Sequence, residues 1–252
     1  MTKLFIHGCF GQMGHALQRA VQLTDGFEIV GGADPRESDE VLPYPVFQTL
    51  DDCNIDADVV VIDFSIAEAV PKLVEWCCSR KLPLVMCTTA LSDETTAQLR
   101  RASEIVPIFQ SANMSLGINL MLSLLERASA VLGDTGFDIE IIEKHHNRKV
   151  DAPSGTAYML ANELNKSGRF DIVTDRTQRR ERRPKNEIGI SAIRGGSIVG
   201  EHAVLFAGQD EVLEVSHTVY SRDAFANGAL KAAEFIANQK PGLYTMDDLF
   251  KR

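Results

Sequence analysis

The sequence predicts an α/β chain: a doubly wound parallel sheet in its first part, then an α+β region built on a mixed sheet. Three observations predict it. Over the first 110 or so residues, short apolar runs alternate with helical patterns, the order of βαβ units. One run, residues 58–64 (DVVVIDF), is almost continuously apolar, as expected of a strand covered on both faces. Between residues 187 and 220, three strand-like runs follow one another with no helix between them, which indicates antiparallel or mixed pairing.

Taken in order, residues 3–7 read as a buried strand, 12–23 as a helix and 27–32 as a second strand. After the 58–64 strand, 66–80 is helical and 83–88 is another strand. Residues 92–102 form a helix that the Ser92 hydroxyl can cap, and 106–109 is one more short strand. The pattern then changes. Residues 117–132 have the spacing of a long amphipathic helix, 137–144 of a strand, and 154 to about 165 of a helix. Strands at 188–193, 198–206 and 212–219 are joined by the turns Arg194-Gly195-Gly196-Ser197 and Ala207-Gly208-Gln209-Asp210, and a helix over 225–239 follows. This places the domain boundary near 110–120. Residues 175–185 (DRTQRRERRPK) carry six basic and two acidic side chains. They read as a solvated loop, since a nucleic-acid surface would interleave aromatic stacking partners.

At roughly 150 residues per domain, 252 residues make one large domain or two modest ones. Hydrophobic residues are 44% and charged residues 24%, ordinary for a soluble globular chain. The net charge of −9 argues against a surface built to coat nucleic acid or an anionic membrane, without excluding a local anion pocket. No apolar run approaches the ~20 residues of a membrane span, and MTKLFIHGCFG enters a strand with no signal-peptide pattern. Cys9, Cys53, Cys77, Cys78 and Cys87 are odd in number and lack metal-ligand spacing. They suit reduced thiols in the cytoplasm, and no metal site is expected. Secreted, membrane and collagen-like classes are excluded.

Gly8-Cys9-Phe10-Gly11-Gln12-Met13-Gly14 follows the first strand and opens the first helix, where a dinucleotide fold places its phosphate loop. Glycines let backbone N–H groups approach a pyrophosphate, and the helix N-terminus adds partial positive charge. The spacing is G-x-x-G-x-x-G rather than the commoner G-x-G-x-x-G. Twenty residues beyond Gly14, Asp34 ends the second strand and can accept from ribose hydroxyls. Thr88-Thr89 and Ser111-Ala112-Asn113-Met114 lie at the carboxyl ends of later strands, where hydroxyl and amide groups can bond a nicotinamide carboxamide.

The stretch 143–157 (EKHHNRKVDAPSGTA) is the richest in chemistry. The N–H groups of Ser154, Gly155 and Thr156 open a helix and read as an anion site, to which Lys149 adds a full charge. That suits a carboxylate, and a histidine beside it can act as a general acid. His145 and His146 point to opposite sides of an extended chain, so at most one is the acid and a metal pair is disfavoured. His7 and His15 read as structural, with His15 near the phosphates as the alternative; His202 and His217 read as cross-strand or core residues.

The same stretch resembles the signature of the 4-hydroxy-tetrahydrodipicolinate reductase family, also called dihydrodipicolinate reductases. Gly8-x-x-Gly11-x-Met13-Gly14, Thr88-Thr89, Ala112-Asn113, Val199-Gly200-Glu201-His202 and Ser221-Arg222-x-x-Phe225-Ala226-Asn227-Gly228-Ala229 fall in the family's order, so the resemblance spans the chain. It implies a Rossmann-like domain over 1–115, rejoined by 222–252, and a substrate-binding and tetramerisation domain over 116–221. Its residues imply that Gly8, Cys9, Phe10, Gly11, Gln12 and Met13 bind pyrophosphate and that Asp34 takes the adenosine ribose. Cys87, Thr88, Thr89, Ser111, Ala112, Asn113 and Met114 flank the nicotinamide. His146, Gly155 and Thr156 hold the substrate, a small dicarboxylate, and His145 and Lys149 are the catalytic pair. The implied activity is NAD(P)H-dependent reduction of 4-hydroxy-tetrahydrodipicolinate to tetrahydrodipicolinate in lysine and diaminopimelate biosynthesis, by a cytoplasmic homotetramer. Alternatives are a reductase of another small dicarboxylate and a non-catalytic dinucleotide sensor. Two departures matter. The family's Gly-Thr-Thr-Gly is Cys87-Thr88-Thr89-Ala90 here, and Pro35 stands where many members carry an arginine after the ribose-binding acid. With Arg36 as the one nearby cation, the expected preference is for NADH, with residual use of NADPH.

Overall fold

In a computed structural model describing residues 1–55, 58–133 and 135–250, Thr2–His7 forms the first strand, β1, with Leu4, Phe5 and Ile6 fully buried. Burial on both faces is what a central parallel strand requires. Gln12–Gln22 (α1) and Phe27–Ala33 (β2) follow, then the short strand Val46–Phe47 (β3) and Val60–Asp63 (β4). Val70–Arg80 (α2), Leu84–Met86 (β5), Asp93–Ala102 (α3) and Pro107–Gln110 (β6) continue the alternation. The Ser92 side chain accepts the Thr95 N–H, capping α3.

Two compact units divide the chain: Met1–Leu116 with Arg222–Arg252, and Gly117–Ser221. In the first, seven strands pair in parallel in the order β12-β6-β5-β4-β1-β2-β3, where β12 is Gly242–Tyr244. Strand order reverses between β1 and β4, the point where doubly wound sheets open a crevice for ligands. Helix Asp223–Ile236 (α6) packs Ala226, Ala229, Ala233 and Ile236 into the core around Leu4, Ile6 and α1. Gly228 is needed there: a Cβ would sit 1.7 Å from the Met114 carbonyl oxygen. Met246–Phe250 (α7) follows β12.

The second unit opens with Leu116–Leu132 (α4), then Asp138–His145 (β7) and Gly155–Leu164 (α5). Asp171–Val173 (β8), Glu187–Arg194 (β9), Gly200–Ala207 (β10) and Val212–Val219 (β11) complete a five-stranded sheet ordered β11-β10-β7-β9-β8. β7 pairs antiparallel with β10 and parallel with β9, so the sheet is mixed. Ile118, Met121 and Leu125 of α4 and Leu160 and Leu164 of α5 pack on Ile139, Ile141, Ile188 and Val204. The 175–185 segment is not simply solvated. Arg183 donates to Asp138, Glu140 and the carbonyls of Ile139 and Glu187, while Arg176 and Arg179 pair with buried Glu187. A buried carboxylate such as Glu187 demands cations, and the acids that hold Arg183, Asp138 and Glu140, lie far off in sequence.

Candidate active site

In the first unit, Gly8 leaves β1 at φ +87°, and a Cβ there would lie 2.7 Å from the Phe64 carbonyl oxygen. At Gly14 a Cβ would lie 2.4 Å from the Cys9 oxygen. Both positions admit glycine alone, which draws the loop tightly onto the start of α1. Gly11 N-caps α1 without a side-chain bond, leaving first-turn N–H groups available to an anion. Cys9 is buried, its thiol pushed up to about 12 chiefly by burial, so only its backbone faces a ligand.

Asp34 is buried at the end of β2, where its carboxylate accepts the Phe10 N–H at 3.0 Å and so ties the glycine loop to β2. It also accepts the Arg36 N–H at 3.1 Å, Nε at 2.8 Å and Nη2 at 2.7 Å. Burial alone would raise its pKa, but the Arg36 contacts overcome that and hold the carboxyl below its ordinary value. Beside it lies a cleft of about 360 Å³ lined by Phe10, Asp34, Arg36, Glu37, Glu40 and Tyr44 among others. Glu40 also stands 3.7 Å from His15.

At the carboxyl ends of β5 and β6, Thr88 carries a buried Oγ1 with no partner among the described residues. Ser111 Oγ donates to the Asn113 carbonyl at 2.8 Å, and the Asn113 side chain accepts the Ser115 N–H at 2.9 Å. These bonds fix the 111–115 turn, with Ala112 exposed and Met114 buried. Ala90 sits at φ +57°, a conformation that favours glycine, which gives a physical reason for glycine at this position. Cys87 is buried, and burial pushes its thiol well up. The orphaned Thr88 hydroxyl and the Gly8–Gly14 cradle both fit a nicotinamide dinucleotide.

In the second unit, alternation along β7 places Ile139, Ile141, Glu143 and His145 on the buried face. Glu143 is fully buried, and each carboxylate oxygen makes two hydrogen bonds. Oε1 accepts the Ser154 N–H at 2.9 Å and Arg194 Nη2 at 2.7 Å. Oε2 meets His145 Nδ1 at 2.6 Å and accepts Arg194 Nη1 at 2.8 Å. Burial would raise the Glu143 pKa, but these bonds, Arg194 first, hold it below the ordinary value. Parallel register brings Arg194 opposite His145, and antiparallel register brings His202 opposite Glu143. The His202 ring stands edge-on to His145 at 5.1 Å, with Nε2 3.1 Å from Ser154 Oγ. Burial, then His145, pulls the His202 pKa down to about 4, so it is neutral at pH 7. A Cβ at Gly200 would lie 3.3 Å from His145 Nε2, so glycine there keeps that nitrogen uncrowded.

The helix start differs from the three open N–H groups expected. Ser154 N–H is spent on Glu143, and its Oγ accepts Ala157 N–H as the N-cap of α5. Gly155 N–H bonds the Asp151 carboxylate, which also lies 2.9 Å from Lys149 Nζ. The chain's own carboxylate thus sits where a ligand carboxylate was expected. His146 is half-buried just past the end of β7. Glu143, Asp151 and Arg194 are structural members of this cluster that the sequence reading did not assign, while His202 is the buried cross-strand residue expected. Glu143 was detectable, because Glu-x-His on a strand places both side chains on one face.

Among the described residues, no group of His, Cys, Asp and Glu is arranged to hold a metal ion, and no helix is long and apolar enough to cross a membrane.

Residues 2–114 match the family model "Dihydrodipicolinate reductase, N-terminus" and residues 117–250 the model "Dihydrodipicolinate reductase, C-terminus". A 4-hydroxy-tetrahydrodipicolinate reductase of Caldanaerobacter subterraneus subsp. tengcongensis is 50% identical over 254 residues, covering 100% of this chain and 99% of its own. One from Clostridium novyi is also 50% identical, with the same coverage. A solved dipicolinate-bound dihydrodipicolinate reductase from Paenisporosarcina sp. TG-14 shares the fold, with a TM-score of 0.79 and 23% identity over 97% of each chain. Matched across both units by family models and over its whole length by curated relatives, the chain belongs to the dihydrodipicolinate reductase family.

Proposed function

We propose that this chain reduces 4-hydroxy-tetrahydrodipicolinate with His145 as proton donor and Lys149 as the cation that holds a ring carboxylate. Family membership makes it an NAD(P)H-dependent oxidoreductase at that reduction step of lysine and diaminopimelate biosynthesis. The observation that carries the residue roles is the position of Asp151: on the loop that follows His145, Lys149 Nζ and the Gly155 N–H already hold a carboxylate. Substrate binding exchanges that internal carboxylate for one on the ring, with Thr156 and His146 as further contacts.

The 4-hydroxyl leaves as water with a hydrogen from the adjacent ring carbon, and reduction of the resulting unsaturated ring adds a hydride at C4 and a proton at C3. The nicotinamide, when bound, would supply the hydride; Gly8–Met13 would hold its pyrophosphate, Asp34 the adenosine ribose, and residues 87–89 and 111–114 would flank its ring. His145 supplies the proton from Nε2, the nitrogen left clear by Gly200. Lys149 offsets negative charge as the enamine-like carbanion develops. A dinucleotide sensor needs no such donor. NADH is the preferred cofactor, because the cleft beside Asp34 carries Asp34, Glu37 and Glu40 against one cation, Arg36, and a 2′-phosphate adds negative charge to it. The reading includes a cytoplasmic homotetramer assembled through the 116–221 domain, which light scattering on the purified chain tests.

The decisive assay follows NADH absorbance when the product of dihydrodipicolinate synthase is supplied. His145→Gln should keep cofactor affinity and lose ~10²–10⁴-fold in kcat. Near wild-type turnover removes His145 from the mechanism. Lys149→Ala should lower kcat and raise the substrate KM, and a change in NADH affinity alone rejects its place at the substrate.

A further inference from the structure

We propose that Glu143, clamped by Arg194, is the positioning carboxylate of the proton donor: it fixes His145 as the Nδ1–H tautomer, directs Nε2 at the substrate and supports the imidazolium. The inference rests on the reading of His145 as the donor.

The geometry leaves one arrangement. A carboxylate that already takes Arg194 twice and the Ser154 N–H has no proton of its own to give, so the 2.6 Å contact requires hydrogen on His145 Nδ1. Nε2 is then the atom that gains and loses the catalytic proton, and the missing side chain at Gly200 keeps it uncrowded. After the proton leaves, the neutral ring is already in the tautomer that can be recharged at Nε2, with no ring flip.

Arg194 has two tasks. Its guanidinium grips Glu143 with Nη1 and Nη2, and Nη2 also donates to the Asp151 carbonyl at 2.6 Å. One side chain therefore links the carboxylate behind His145 to the loop that carries Lys149 and Asp151. Arg194 is half-buried, and planar two-point contact is what a lysine cannot reproduce. The charged and titratable groups around the ring are Glu143 on β7, Arg194 on β9, His202 on β10, and His146, Lys149 and Asp151 on the following loop; His217 of β11 lies across the strand from His202. Of these, Glu143 is the one whose negative charge touches the ring.

The test reads the pH profile and the tautomer. In Glu143→Gln, kcat should fall ~10²-fold or more, as when the orienting acid of a catalytic histidine is made an amide. The alkaline limb of kcat against pH should move down by about one unit or more, because the imidazolium loses an adjacent charge. NADH affinity should stay at the wild-type value, which reports an intact first unit. A limb that stays in place overturns the proposal, provided His145→Gln is impaired; full turnover in His145→Gln instead defeats the donor reading itself. The wild-type protein supplies a second measurement that does not depend on Glu143→Gln folding. The ¹⁵N spectrum of the histidine side chains, with His145 assigned by its loss in His145→Gln, should show the Nδ1–H tautomer in the neutral form. An Nε2–H tautomer overturns the proposal.

Discussion

Asp151 presents a sharp case, because on the proposed assignment it competes with the substrate carboxylate. Its carboxylate bonds Lys149 Nζ at 2.9 Å and the Gly155 N–H, the groups assigned to the ring carboxylate. Binding must break this contact first, so the wild-type KM contains its free energy. Lys149 is mostly buried, but the Asp151 side chain is 57% exposed, and solvent screens the pair strongly. An ion pair of that exposure stabilises by about 0.5–1 kcal/mol, towards the upper end of measured surface pairs. Converted at ~1.4 kcal/mol per decade, its removal lowers KM about 2–5-fold. Asp151→Asn keeps an amide oxygen for the Gly155 N–H and should give the lower part of that range; Asp151→Ala should give the upper part. Neither change touches the Asp151 carbonyl that Arg194 holds, so the loop keeps its anchor. Initial rates against substrate at saturating NADH, in low salt and again in ~0.5 M salt, provide the assay. The gain should shrink in high salt, where the internal pair is already weakened. A raised KM in both variants would show that Asp151 builds the site rather than blocking it.

Other positions give further expectations. Arg36→Ala should cost NADPH more than NADH in kcat/KM, since its guanidinium is the one cation lining the cleft proposed for the ribose; NADPH being the better cofactor for the wild type rejects the NADH preference. His202, held down to about 4 from 6.5 mainly by burial, binds a proton in the unfolded chain that the folded state refuses between those pH values. Stability is therefore lost as pH falls through that window, by up to about 3 kcal/mol, and His202→Gln should flatten the fall in Tm between pH 7 and pH 4. Ala90→Gly should stabilise by about 0.5–1 kcal/mol, the left-handed penalty less the flexibility glycine adds to the unfolded chain, and an unchanged or lower Tm refutes it.

What the sequence discloses depends on how local each constraint is. The glycine loop is legible because its demands are set within the loop: a Cβ at Gly14 would meet the Cys9 oxygen, and Gly8 itself sits at φ +87°. β1, β4 and β7 are legible from apolar pattern alone. β3, β8 and β12 are two or three residues long and carry no period, so they escape notice until a neighbouring strand pairs with them. Arg194 reads as a turn residue because its partner lies 51 positions earlier, and only the parallel register of β7 with β9 brings them together. The arginines of 175–185 mislead for the same reason: charge composition signals solvent, whereas Arg183 is committed to Asp138 and Glu140.

Asp34 and Asp151 solve one physical problem in the same way. Each site must present polar groups to a charged ligand, and a polar group left bare near the interior is costly. The chain satisfies them internally: Arg36 covers Asp34, and Asp151 covers Lys149 and the Gly155 N–H. Binding is then an exchange of hydrogen bonds, each worth a small net amount, rather than a gain of new ones. Affinity in such a site comes from meeting several exchanges at once, which a ligand with only one carboxylate does poorly. The buried Glu143 cluster is the contrast. None of its four bonds needs to be surrendered to a ligand, so the donor's orientation is set before the substrate arrives, while the groups that bind the substrate remain exchangeable.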